Sequence, residues 1–309
     1  MNRSSAIKIL VHEKYGLVVQ SIKKINTGVI NENYIVQAQG KKYIFKIYNL
    51  RNTKQLQFEI NVVQKLGELK YPCPRLLHTQ DGQLHTQFQE RHCLLYEYIP
   101  GKPLKTINKK KMFQIGIQLG KMHALLQKVP QKVVRESWEL SDMLSYVETE
   151  KKQMDKKNIP GLKNFLLEVK KEFADVHLSK ALPVGITHQD VKPENIIEHK
   201  SSLTFIDFDN VYRGLLIVDA LTPVIWMCFP KGVFSISLFE SYMKGYQQSR
   251  HLKKFEKRHL FDALRFRLLR EAFVWPMRFE STKAKPKFTQ FNNAYKSLVK
   301  HKSFFVSYE

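Results

Sequence analysis

The spacing of the apolar residues changes near residue 100, and this change limits the fold more than any other feature. Up to that point apolar residues come in short runs broken by turn residues. "VVQSIKKI" (18–25), "NYIVQAQ" (33–39) and "KYIFKIY" (42–48) predict three strands, with turns at 26–32 and at Gly40-Lys41. "HCLLYEYI" (92–99) predicts another strand, and "RLLHTQDGQLHTQF" (75–88) a hairpin about Asp81-Gly82. One helix is set among them. In "TKQLQFEINVVQKLGELK" (53–70), Leu56, Ile60 and Val63 keep helical spacing, Thr53 is the expected N-cap and Pro72 follows as a stop. A short helix over 4–15 is expected before the first strand.

"IPGKP" (99–103) reads as a punctuated link. Beyond it the period is helical: Ile115, Leu119, Met122 and Leu126 share one face, and further helices fit 137–157, 161–177, 234–248, 259–275 and 288–300. The expected class is therefore α+β. A small, mostly antiparallel N-terminal β lobe with one helix (1–98) is followed by a linker (99–103) and a larger, mostly helical lobe (104–309).

One stretch breaks the helical texture: "THQDVKPENIIEHKSSLTFIDFDN" (187–210). It sets groups that resist burial between short strand-like pieces. Phosphoryl transfer needs a carboxylate to orient or deprotonate a hydroxyl, oxygen ligands for Mg²⁺ and a cation on the nucleotide phosphates. Asp190 suits the first task. Asn195, five residues on, and Asp207, at the end of "LTFID", suit the second. A solvated turn rich in Asp and Asn is the competing reading.

"HQDVKPEN" followed by "FIDFDN" resembles the catalytic signature of the aminoglycoside phosphotransferase and choline kinase superfamily, relatives of the eukaryotic protein kinases. The resemblance implies a bilobal protein-kinase-like fold, ATP (or GTP) as donor, and Mg²⁺. It also implies a phosphate-holding lysine on the third strand and an orienting glutamate on the next helix. Lys46 in "YIFKIY" and Glu59 occupy those places. A solvent-facing edge lysine competes for the first and Glu68 for the second. "NTGVINENY" (26–34) would cover the phosphates through Gly28 and Asn31 or Asn33, an ordinary hairpin turn being the alternative. "LLYEYIPG" (94–101) fits the hinge, where backbone groups of Glu97, Tyr98 and Ile99 would meet the adenine edge. Lys192 stands where protein kinases place a lysine on the transferred phosphate. His123 is expected to be a satisfied core histidine, and Asp219 to orient the catalytic loop.

"VKPEN" is spelled like a protein serine/threonine kinase, but Asp207 is followed by Phe-Asp rather than Phe-Gly, and no Ala-Pro-Glu follows. The sequence therefore favours a small hydroxylated acceptor over a protein Ser/Thr kinase. In outline it also resembles the spore-coat kinase-like and homoserine-kinase-like groups. A kinase-fold coat or interaction protein with weak or no catalysis is the non-enzymatic alternative. Arg265, Arg267, Arg270 and Trp275 are candidates for an anionic-acceptor site, with a helical packing stripe as the competing reading.

Charge bears on partners. Lys and Arg number 51 against 28 Asp and Glu, a formal +23. A well-solvated, lysine-rich surface accounts for it first; as a functional basic face, the alternative, it would attract anions, including polyanions or coat proteins. It comes without the basic arm, zinc spacing or RNA-binding signature that would make nucleic acid the expected partner. Three cysteines without metal spacing, no signal-peptide run in the first twenty residues and no membrane-length apolar window point to the cytoplasm, with a spore coat as the alternative.

Overall fold

The computed structural model describes residues 2–25, 30–49, 52–127 and 139–308. It divides into two compact units, Met1–Pro103 with Ile196–Val211, and Leu104–Asn195 with Tyr212–Glu309. The first unit thus takes in a stretch that the sequence boundaries place beyond the linker.

The first unit contains α1 (Arg3–Tyr15), β1 (Val19–Ile25), β2 (Glu32–Ala38), β3 (Lys41–Ile47), α2 (Thr53–Glu68), β4 (Thr86–Phe88) and β5 (Arg91–Glu97). The strands form one antiparallel sheet in the order β1-β2-β3-β5-β4. Alternation along β3 and β5 sends side chains to both faces. Phe45, Ile47, Cys93 and Leu95 join Ile7 and Val11 of α1 in one core. Leu94 and Tyr96 join Tyr48 and the α2 residues Leu56 and Ile60 in another. Lys46 lies opposite Leu94 in the ladder, so it shares the face that α2 covers. A strand lysine is thereby carried into a buried place, 4% exposed.

Two local expectations are corrected. The N-cap of α2 is Asn52, whose side chain accepts the Gln55 N–H at 2.9 Å, and Thr53 is the first helical residue. The hairpin into β5 turns at Gln89-Glu90, both at positive φ, and not at Asp81-Gly82. The chain on either side of Asp81-Gly82 pairs with β5: Leu77 N–H reaches Leu95 C=O at 2.9 Å, and Thr86 stands opposite Cys93. That turn closes an excursion of one edge instead of joining two partners. Two short strands, Ile196–His199 and Ser202–Phe205, complete the unit, the first also pairing with Lys102–Pro103.

The second unit is helical apart from two antiparallel strands, Val184–Thr187 and Tyr212–Leu215. Its helices are α3 (Lys109–Leu126), α4 (Leu140–Met154), α5 (Leu162–Ala174), α6 (Leu216–Ala220), α7 (Thr222–Met227), α8 (Ile236–Ser249), α9 (Lys254–Lys257), α10 (Leu260–Arg278), α11 (Ser281–Lys300) and α12 (Lys302–Ser307). Helix α11 starts seven residues before the expected 288 and carries Pro286 inside it. Helices α3 and α8 pack backbone against backbone. A Cβ on Gly116 would meet the backbone of Tyr242 and Tyr246, one on Gly120 would lie 2.5 Å from Tyr246 C=O, and one on Gly245 would meet Phe113 C=O. Glycine at these three positions lets the two backbones touch, which fixes how Tyr246 is presented to α3. No helix among the described residues is long and apolar enough to cross a membrane.

Candidate active site

The first unit gathers a cation among carboxylates. Lys46 Nζ donates to Asp207 Oδ1, lies 3.2 Å from Asp209 Oδ2 and stands 4.9 Å from the Tyr48 ring centre. Burial works to strip its proton, but the charges of Asp207, Asp209 and Glu59 outweigh burial, and its pKa rises above the usual lysine value. Lys46 is therefore a fixed cation at neutral pH. Glu59 is fully buried on α2 and accepts from Tyr48 Oη at 2.6 Å and Tyr96 Oη at 2.9 Å. These phenols hold the carboxylate where its charge acts on Lys46. Asp207 adopts a left-handed backbone, φ 67°, at the end of its strand. Asn31 donates to Asp209 Oδ2 at 2.6 Å and accepts the Asn49 N–H at 3.2 Å. The chain leading into β2 is thus fastened to the "DFD" segment.

The second unit gathers the loop groups. Asp190 is gripped from two sides: Lys192 Nζ lies 2.9 and 2.7 Å from its two carboxylate oxygens, and Asn195 Nδ2 donates to Oδ2 at 2.8 Å and to its backbone C=O at 2.9 Å. The loop backbone is set by Asp219, which accepts the N–H groups of His188 and Gln189 at 2.7 and 2.6 Å. Asp219 also bonds His123 Nε2 at 2.9 Å, and His123 Nδ1 bonds Tyr246 Oη at 2.8 Å. Burial works to raise the Asp219 pKa, but His123 and the His188 N–H outweigh it and hold the carboxyl below the usual range. Gln189 sits at φ 67°, a region that residues with a Cβ seldom adopt. Its strain is held by Asp219 and by Arg267, whose guanidinium reaches Gln189 Oε1 at 3.1 Å and its C=O at 3.4 Å.

The sequence-selected residues are distributed as follows. Lys46, Glu59, Asn31 and Asp207 come together in the first unit, and Asp190, Lys192 and Asn195 in the second. Gly28 lies outside the described residues. Glu97 and Tyr98 give their N–H groups to Arg75 and Lys42 C=O, while Ile99 N–H makes no backbone bond among the described residues. His123 is a satisfied core histidine, and Asp219 orients the loop. Arg267 and Arg270 turn towards Gln189, and Arg265 pairs with Glu172 at 2.5 Å, so the arginine stripe of α10 is spent on internal contacts. Sequence reasoning missed Asp209. It treated the residue only as a departure from Phe-Gly, although a carboxylate two places from Asp207 on a tight turn was itself a signal.

Comparison with known proteins identifies the family. Residues 21–260 match the phosphotransferase enzyme family, abbreviated APH. A homoserine kinase from Zymomonas mobilis is 30% identical over 266 residues, covering 82% of this chain and 81% of that protein. Among solved structures, the amicoumacin kinase hAmiN, in complex with AMP-PNP, Ca²⁺ and Ami, has a TM-score of 0.76 at 18% identity, covering 97% of this chain and 94% of that one. A microcompartment-associated aminopropanol kinase has a TM-score of 0.74 at 15% identity, covering 97% and 98%. The fold is the α+β, kinase-like one, and the chain belongs to the phosphotransferase enzyme family.

Proposed function

We propose that this phosphotransferase moves the γ-phosphate of ATP, with GTP as the alternative donor, to the hydroxyl of a small amino-acid-like acceptor in the presence of Mg²⁺. Homoserine is the first candidate, because relatives carrying that activity align along most of the chain. The observation that carries the reading is the posture of Asp190, a carboxylate held by two side chains on a loop whose backbone is fixed from behind.

In this reading the first unit serves the donor. Lys46 stays protonated and takes the nucleotide phosphates. Asp207 and Asp209 present hard oxygen donors, a set that fits Mg²⁺, which is commonly held by one or two carboxylates together with phosphate oxygens and water. In the second unit, Asn195 keeps its Oδ1 as an oxygen donor suited to a metal, since its Nδ2 is committed to Asp190. When bound, the ion would neutralise charge on the phosphates. The backbone of Glu97, Tyr98 and Ile99 would meet the base.

The second unit serves the acceptor. Asp190 orients the hydroxyl and receives its proton as the acceptor oxygen bonds to the γ-phosphorus. The bond from that phosphorus to the bridging oxygen breaks, and the electron pair leaves with the nucleoside diphosphate. Lys192 turns from Asp190 towards the moving phosphoryl group. The free cysteines Cys73, Cys93 and Cys228 support a reducing compartment such as the cytoplasm.

An assay of nucleoside diphosphate release over hydroxylated amino acids, amino alcohols, sugars and protein substrates tests the proposal. Acceptor-dependent release with homoserine or a near analogue is expected. Release only with protein substrates would instead favour a protein kinase.

A further inference from the structure

In the second unit, beside Asp190, one lysine is held in a way the phosphotransfer chemistry does not explain. Lys287, on α11, places Nζ 4.4 Å from the ring centre of Trp226 and 5.8 Å from that of Trp275. Lys192 Nζ lies 5.7 Å from the same Trp226 ring, so two cations share one indole. Lys192 is neutralised by Asp190 at 2.7 Å. Lys287 has only Gln290 Oε1 at 3.5 Å, and among the described residues no carboxylate lies within ion-pairing distance of it. It is half-buried, and desolvation lowers its pKa despite the more distant fields of Glu194, Glu271 and Asp190.

A partly desolvated ammonium held by two aromatic faces, with another cation beside it, needs an anion more than it needs a further aromatic contact. Its place on those faces also leaves little room there for a cationic acceptor group. We infer that Lys287 is the docking point for a carboxylate of the acceptor, so that the preferred acceptors are hydroxylated carboxylic acids. Trp226 and Trp275 hold the ammonium in place, and its charge fixes one end of the acceptor while the hydroxyl end meets Asp190. Lys287 is thus a specificity-determining residue. The arginines of α10 are already committed to internal contacts.

The inference rests on the second unit being the acceptor side of a small-molecule kinase. Its test compares kcat/KM for homoserine, for γ-hydroxybutyrate, which lacks the amine, and for aminopropanol, which lacks the carboxylate. The enzyme forms are wild type, Lys287→Met and Lys287→Arg, with thermal unfolding to verify that each folds. The wild-type preference for the two acids over aminopropanol should fall about tenfold or more in Lys287→Met, mainly through KM, and survive largely in Lys287→Arg. A preference unchanged in Lys287→Met overturns the inference, as does a wild-type enzyme that prefers aminopropanol; in both cases phosphoryl transfer stands. Transfer to none of the three acceptors removes the homoserine-type reading and the inference with it.

Discussion

His123 and Asp219 share a 2.9 Å hydrogen bond with neither side chain exposed, and through it the α3–α8 helix pair is tied to the loop that carries Asp190. Tyr246 stands behind His123, and Arg250, itself paired with Glu256 at 2.7 Å, reaches the Tyr246 hydroxyl at 3.3 Å. Packing between helices is thereby converted into the position of one carboxylate. Asp219→Ala removes the acceptor of two buried N–H groups and of His123. It should lower unfolding stability by about 3 kcal/mol and reduce kcat along with it. Urea unfolding measures the first effect, and an unchanged midpoint would contradict this role.

The α3–α8 contact depends on three missing side chains. Gly116→Ala or Gly245→Ala forces a Cβ into opposing backbone that cannot rotate away. Each substitution should cost about 1–3 kcal/mol. The loss should appear as a lower melting temperature, with kcat falling more than nucleotide affinity because the strain reaches the loop through Tyr246 and His123.

Acid stability has a separate origin in the first unit. Burial works to raise the pKa of Glu32, but Tyr34, Arg91, Arg3 and Lys24 outweigh it and hold the carboxyl at about 2, against an ordinary value of 4.5. A depressed folded-state pKa contributes stability that is complete above the ordinary value and is lost as pH falls from there towards about 2. Allowing for solvent screening, Glu32→Gln should cost about 1–2 kcal/mol near neutral pH. The gap from wild type should narrow as the pH is lowered below 4.5, which denaturant unfolding at a series of pH values will show.

Lys46 makes a different prediction. Lys46→Met deletes the ammonium that contacts both Asp207 and Asp209. Nucleotide Kd should rise about 10- to 100-fold, read by titration with a fluorescent nucleotide analogue. Binding unaffected by this change would place the donor phosphates elsewhere.

Much of this was legible in the chain because its signals are local. Alternation marked β2, β3 and β5, helical spacing marked α3 and α10, and "HQDVKPEN" with "FIDFDN" marked the residues that gather around Asp190 and Asp207. What escaped depends on partners distant in sequence. Gln89-Glu90 turns the hairpin without glycine because pairing of β4 with β5 holds both residues at positive φ. Asp209 and Lys287 acquire meaning only from what lies beside them, Lys46 and Asn31 for one, Trp226 and Trp275 for the other.

The central claim is that Asp190 handles the acceptor proton. The most direct measurement is single-turnover phosphoryl transfer from γ-labelled ATP to homoserine by wild type and Asp190→Asn, with nucleotide Kd measured on the same preparations. The account predicts transfer slower by about 10³-fold or more with Kd within about threefold of wild type. Transfer by Asp190→Asn at the wild-type rate would contradict it.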